Sequence, residues 1–178
     1  MTAKTIMTSA DIDRSLDRIS LEIIERNRGL DELSIIGVHT GGVFLAQRLK
    51  ERLEAQGEGI SLPSGNLDIT LYRDDWSLIS QNPVVRKSDI GFLMEDRRVI
   101  LVDDVIFTGR TIRAAMDAIM DYGRPLSIQL AVLVDRGGRE LPIQPDYVGM
   151  FISAGKGERV DVLLRENNET DKVLLTTP

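Results

Sequence analysis

The chain has 178 residues, 42% of them hydrophobic and 28% charged, which suits a single folded domain over residues 1–178 and excludes a disordered or fibrous chain. It contains no cysteine, so disulfides, thiolate metal sites and a cysteine nucleophile are excluded. A formal net charge of −6 argues against a generally basic nucleic-acid binder. No apolar run approaches the roughly 18 to 20 residues of a membrane span. The opening MTAKTIMTSADIDRS lacks a signal-peptide core, so the expected location is cytoplasmic.

Thr8-Ser9-Ala10-Asp11 reads as a capping box, behind which Ile12, Leu16, Ile19 and Ile23 recur at helical spacing up to a stop near Gly29. Leu33 to Val38 is a short apolar run typical of a buried strand. Gly41-Gly42 breaks the chain, and Val43, Ala46, Leu49 and Leu53 mark a second helix. Leu67 to Tyr72 alternates apolar and polar residues and is expected to be a half-buried strand. Arg73 to Asp96 has many charges and little periodicity, the composition of a functional lid, a binding loop or a hairpin arm. A strand over Val99 to Val102, a polar loop and a helix bearing Ile112, Ala115, Met116 and Ile119 follow, and Gly123-Arg124-Pro125 stops that helix. Ser127 to Val134 is another buried strand, with further strands expected at Tyr147 to Ile152, Val160 to Leu164 and Val173 to Leu175. This order predicts an α/β fold: an open, mainly parallel sheet with helices on both faces. Ligands of such folds sit beyond the carboxyl ends of the strands, where the loops after Val38, Val102 and Val134 fall.

The chemistry concentrates in VILVDDVIFTGRT, residues 99–111. A buried strand delivers Asp103 and Asp104, and Thr108-Gly109-Arg110-Thr111 then opens a helix. Successive N–H groups in such a turn, aided by the helix N-terminus, form a nest for a phosphate, and the two threonine hydroxyls add donors. The carboxylates lie too near to share that phosphate. They suit hydroxyl groups, a metal or a developing positive charge, and a ribose 5-phosphate satisfies both halves. An Asp pair after a strand also occurs in metal-dependent phosphatases and signalling receiver domains.

The same segment resembles the phosphoribosyl-pyrophosphate motif of the type I phosphoribosyltransferases. Leu67 to Asp75, Gly123 to Pro125, Ile128 to Gly137 (IQLAVLVDRG) and Arg139 to Ile143 (RELPI) extend the resemblance to one branch: bifunctional regulators of pyrimidine genes that carry uracil phosphoribosyltransferase activity. The resemblance implies the type I fold with a flexible hood at about residues 73–96, and the reaction of uracil with phosphoribosyl pyrophosphate (PRPP) to give UMP and pyrophosphate. It implies Mg2+ carried with PRPP rather than held by protein side chains alone, and a homo-oligomer. It also implies a pyrimidine-gene leader RNA as partner, with UMP as co-regulator. Transfer to another base is the remaining alternative.

Residue by residue, the resemblance makes Asp103 and Asp104 catalytic and gives Val105, Ile106, Phe107, Thr108, Gly109, Arg110 and Thr111 to the substrate. Val38 to Gly42 looks like the pyrophosphate loop, with Thr40 and Gly41 as contacts; many members carry Arg where this chain has Gly41. His39, the one histidine, reads either as a pyrophosphate contact or as an exposed loop residue. Arg86 is expected to close over pyrophosphate, and Trp76 reads as a hood anchor or a base-side hydrophobe. Arg136 falls beside the base and pyrophosphate, with backbone near Asp135 and at Val160 and Asp161 reading uracil; the plainer reading of Asp135 and Arg136 is a surface ion pair. RNA-binding members show a basic face where this chain has Gly138, Gln144 and Met150. Arg139 remains there, and Arg14, Arg18, Arg26 and Arg28 are available on or after the first helix.

Overall fold

The computed structural model describes residues 2–57, 59–74 and 87–178. Its elements are β1 (Thr2–Thr8), α1 (Ser9–Asn27), β2 (Leu33–Val38), α2 (Gly41–Gln56), β3 (Ser64–Leu67), a 3₁₀ turn (Thr70–Tyr72), β4 (Asp89–Ile90), β5 (Arg98–Ile106), α3 (Arg110–Met120), β6 (Ser127–Asp135), β7 (Tyr147–Phe151), β8 (Arg159–Leu163) and β9 (Lys172–Thr177).

Six strands form the main sheet in the order β4-β3-β2-β5-β6-β7, parallel throughout except for β4, which runs antiparallel to β3. The central strands LSIIGV, RVILVDDVI and SIQLAVLVD are β-branched and apolar on both faces, as a sheet covered on both sides requires. Alternate residues feed two cores. Ile35, Ile100, Val102 and Leu133 pack under α1 and α2. Ile36, Val99, Leu101 and Val132 pack under α3. The capping box forms as expected: Thr8 Oγ1 accepts from Asp11 N, and Asp11 accepts from Thr8 N.

Two expectations are corrected. Residues 67–72 are not a strand: β3 ends at Leu67, and Asp68 Oδ1 accepts from Thr70 N at 2.8 Å, turning the chain into the 3₁₀ turn. Leu67 and Ile69 are buried, but Leu71 is 64% exposed, so the apparent alternation fails at its third step. Of the alternatives expected for 73–96, the hairpin arm fits the described residues, since β4 pairs antiparallel with β3 and Met94 is fully buried under α3. Arg86 and Trp76 lie outside the described residues. Finally, β5 continues through Ile106, so both aspartates belong to the strand rather than to the loop after it.

A second sheet, β1-β9-β8, is antiparallel and was not legible at β1. It is tied to α2 by a buried ionic cluster. Arg48 forks onto both oxygens of Asp171, at 2.9 and 2.8 Å, and onto Glu166 at 2.8 and 2.7 Å. Arg48 and Asp171 side chains are only 5% and 2% exposed. Burial pulls the Asp171 carboxyl upward, but Arg48 and the Arg165 N–H outweigh it and hold the group below the usual carboxylate range. At the other edge of the main sheet, Arg18 of α1 donates to the Val148 and Gly149 carbonyls of β7 at 3.0 and 2.8 Å.

Removing one partner of a buried pair strands the other charge. Arg48→Met should therefore cost about 3–5 kcal/mol in urea unfolding at neutral pH. The depressed carboxyls of Asp171 and Glu166 contribute stability above the unfolded carboxylate range, and it is lost as pH falls through their folded values. The gap between wild type and mutant should accordingly narrow in acid. Equal midpoints at pH 7 would remove the cluster from the account of stability.

Candidate active site

The site lies at the carboxyl ends of β2, β5 and β6. Thr108 to Thr111 turns β5 into α3. Gly109 is the residue before the helix and has φ +91°, a left-handed conformation that side chains disfavour. Its Cβ position is otherwise open, with Leu141 and Ile143 at an ordinary 3.5 Å, so the constraint there is backbone conformation rather than space. No side chain caps α3, which leaves its first-turn N–H groups for an anion. Val105 to Ile112 line one wall of a cavity of about 660 Å³, closed on the other side by Arg73, Asp74 and Glu140.

The aspartates are not equivalent. Asp103 follows Val99 and Leu101 in the strand's alternation, towards the α3 layer, and is 5% exposed. Asp104 follows Ile100 and Val102, towards α2, and is partly exposed. Each takes a local donor: Asp103 Oδ1 from Asp104 N at 2.9 Å, Asp104 Oδ1 from Val105 N at 2.7 Å. Burial pushes the Asp103 carboxyl well above the ordinary carboxylate range, and the charge of Asp104 adds to the push. Burial raises Asp104 as well.

Thr40 and Gly41 reach this pair through close backbone packing. A Cβ on Gly42 would stand 2.3 Å from the Val102 carbonyl oxygen, and one on Gly41 would stand 2.2 Å from Asp104 Oδ2. The Asp104 carboxylate therefore occupies the space a side chain at position 41 would need. His39 is partly buried, and its N–H donates to the Leu67 carbonyl at 2.9 Å.

Arg110 points across the cavity mouth, where Nε donates to Glu140 at 2.7 Å and Nη1 to Asp74 at 2.6 Å. Neither carboxylate was anticipated; both are far from Arg110 in sequence, and the remaining signal was their place in the resembling segments Leu67 to Asp75 and Arg139 to Ile143. Arg136 stacks 4.0 Å over the Phe107 ring and donates to the Glu158 carbonyl at 3.0 Å. Asp135 does not pair with Arg136 as the plainer reading expected: it is 5% exposed and takes Arg139 in a fork at 2.9 and 2.6 Å. Burial raises the Asp135 carboxyl, but Arg139 and the Gly137 N–H outweigh that and hold it low. Val160 sits in β8 with its side chain in the core under α1 and α2, so only its backbone is available to a ligand.

An uncapped helix start and a pair of carboxylates thus lie together on one edge of a parallel sheet. The chain matches the family described as "Phosphoribosyl transferase domain" over residues 3–163. A protein named "Bifunctional protein PyrR" from Deinococcus radiodurans is 56% identical over 174 residues, 98% of this chain and 94% of the relative. Its namesake from Desulfosudis oleivorans is 54% identical over 97% and 96%, and that from Bacillus cereus 57% over 91% of each. Among solved structures, a hypoxanthine-guanine phosphoribosyltransferase from Bacillus anthracis superposes with a TM-score of 0.73 over 100% of both chains, at 17% identity. The hypoxanthine phosphoribosyltransferase of Trypanosoma cruzi gives 0.72 at 19% identity, covering 98% of this chain and 97% of its own. These two likenesses show the fold alone. The chain belongs to the phosphoribosyltransferase family and, within it, to the bifunctional PyrR group.

Two outcomes test the geometry. Gly109→Val should abolish calorimetric binding of UMP and PRPP in a protein that stays folded; an unchanged UMP affinity would overturn the nest. The raised carboxyl of Asp103 makes ionisation a liability: its contribution to stability is complete below the unfolded carboxylate range and is lost as pH rises through its folded value. Asp103→Asn should thus stabilise the ligand-free protein by about 1 kcal/mol at pH 8, with the gain shrinking in acid. A destabilised mutant at pH 8 would contradict this.

Proposed function

We propose that this phosphoribosyltransferase converts uracil and PRPP to UMP and pyrophosphate. The observation that carries the reading is the cavity of about 660 Å³ whose wall runs from Val105 beside the acid pair to the helix-opening turn at Thr108 to Thr111. The 5-phosphate sits on the N–H groups of residues 109–111, and the ribose lies back along Val105 and Ile106 towards Asp104. Uracil N1 forms the new bond to the anomeric carbon as the bond to pyrophosphate oxygen breaks, and the N1 proton passes to water or to the departing pyrophosphate. Positive charge builds on the ribose ring in between, and the partly exposed Asp104 carboxylate favours it. Positioning supplies much of the remaining acceleration.

Pyrophosphate leaves over the turn at Thr40 and Gly41. With the Asp104 carboxylate lying over Gly41, an anion there needs a cation beside it. Among the described residues no group of three or more His, Cys, Asp or Glu side chains forms a cage. Asp104 with substrate oxygens and water fits Mg2+, which typically takes only one or two protein carboxylates. Held there by Asp104, Mg2+ would supply positive charge beside the leaving pyrophosphate.

A panel of free bases with PRPP and Mg2+ should give turnover with uracil, and Asp104→Asn should lower it about a hundredfold, or about 3 kcal/mol. Wild-type turnover in that mutant would make the acid structural. The second reading, binding of a pyrimidine-gene leader RNA, draws support from the group's bifunctional name. Four of the five arginines that would serve it are engaged: Arg14 with Asp11, Arg18 with Glu22, Arg26 with Asp146 and Arg139 with Asp135. RNA binding should therefore be weak, with a shallow salt dependence, since each phosphate contact adds only about 0.7 to the slope. Tight, UMP-stimulated filter binding with a steep slope would reverse that assignment.

A further inference from the structure

Phe107 stands out in the cavity wall. It is 45% exposed, follows the buried Ile106, and lies directly before the phosphate turn. The segment from Asp135 to Arg139 packs closely around it. The Arg136 guanidinium covers one face of the ring at 4.0 Å and is itself fixed by the Glu158 carbonyl. Gly138, at φ +73°, lets the chain pass against the ring edge; a Cβ there would stand 2.4 Å from the ring. Arg139 donates to the Phe107 carbonyl at 3.1 Å. The Arg136 N–H donates to the Ile106 carbonyl at 3.2 Å.

The same bonds silence the nearest acceptors. Asp135 Oδ1 takes Gly137 N at 2.9 Å and Arg139 Nη1, and Oδ2 takes Arg139 Nη2. The Phe107 carbonyl is taken by Arg139. What this wall shows to the cavity is a rigid aromatic ring with no hydrogen-bonding atom of its own, between the acid pair and the phosphate turn.

We propose that Phe107 is a specificity-determining residue that accepts the C–H edge of a pyrimidine base and rejects a purine. The proposal rests on the reading of the site as a uracil phosphoribosyltransferase. In uracil linked through N1, the two neighbouring edge atoms are C6–H and C5–H, which lose nothing against an apolar ring. In a purine linked through N9, the second edge atom is N7, whose lone pair would be desolvated there without a donor. A buried acceptor left unpaired is penalised, whereas a C–H group is not. Because Asp135 is held as an ion pair, it takes no proton from the incoming base, and the N–H proton of uracil must leave by another route.

The test compares Phe107→Asn, which puts a donor and an acceptor into the wall, Phe107→His, which keeps a flat ring but adds ring nitrogens, and Phe107→Leu, which stays apolar. The readouts are kcat/KM with uracil and with hypoxanthine, and calorimetric affinities for UMP, IMP and ribose 5-phosphate. Asn and His should lower the UMP-to-IMP preference at least tenfold while ribose 5-phosphate affinity stays the same. Leu should weaken uracil use but keep the preference. Equal losses for UMP and IMP in the Asn and His variants, or an unchanged preference in both, would overturn the proposal. A wild type that transfers to hypoxanthine and not to uracil would instead overturn the proposed function, and the nucleotide affinities of the variants would still report on the wall.

Discussion

The catalytic edge depends on how closely the start of α2 lies on the backbone of β5. Gly37 and Gly42 make the approach sterically feasible: a Cβ on Gly37 would stand 2.5 Å from the Val43 Cα, and one on Gly42 would strike the Val102 carbonyl oxygen. With both glycines in place, the turn at Thr40 and Gly41 rests against Asp104. The turn at Thr40 and Gly41 and the turn at Thr108 to Thr111, about 70 residues apart in the chain, then flank one strand end. A side chain at either glycine would push the two turns apart by a few tenths of an ångström or more, enough to matter for a reaction that relies on positioning.

That closeness has an electrostatic cost. Two adjacent carboxylates are held in a place where burial opposes their ionisation, and the local N–H donors relieve only part of it. A charge kept in an unfavourable setting by the surrounding fold gains most when an opposite charge develops beside it. The stability that the site gives up is supplied elsewhere, by two apolar cores packed on a mainly parallel sheet and by the Arg48 cluster that fastens the small sheet to α2.

The sequence was most readable where structure is decided locally. The capping box at Thr8, the buried runs of β2 and β6, and the turn at Thr108 to Thr111 all follow from neighbouring residues. One misreading was local: Asp68 turns an alternating stretch through a bond to Thr70, two residues on. Elsewhere distant partners decide, as when β4 joins the sheet because β3 offers it an edge. The exposed β1 has almost no apolar pattern and exists by pairing with β9. Arg110 opens α3, as the turn residues suggested, but its bonds to Asp74 and Glu140 join three segments that only the fold brings together. Asp135 and Arg136 showed the same limit: adjacency suggested a pair, and the strand's geometry sent each to a different partner.

Arg18 bears on a different hazard, the tendency of open sheet edges to recruit other chains. β7 is the outer strand of the main sheet, and an unpaired strand there is a template for another chain. By taking the Val148 and Gly149 carbonyls, Arg18 places a charged side chain where an incoming strand would have to bond. Among the described residues the opposite edge is β4, two residues long. Among the described residues, the β7 side of the sheet thus carries a charged side chain on carbonyls that an incoming strand would compete for, which makes that edge a poor template for a neighbouring chain.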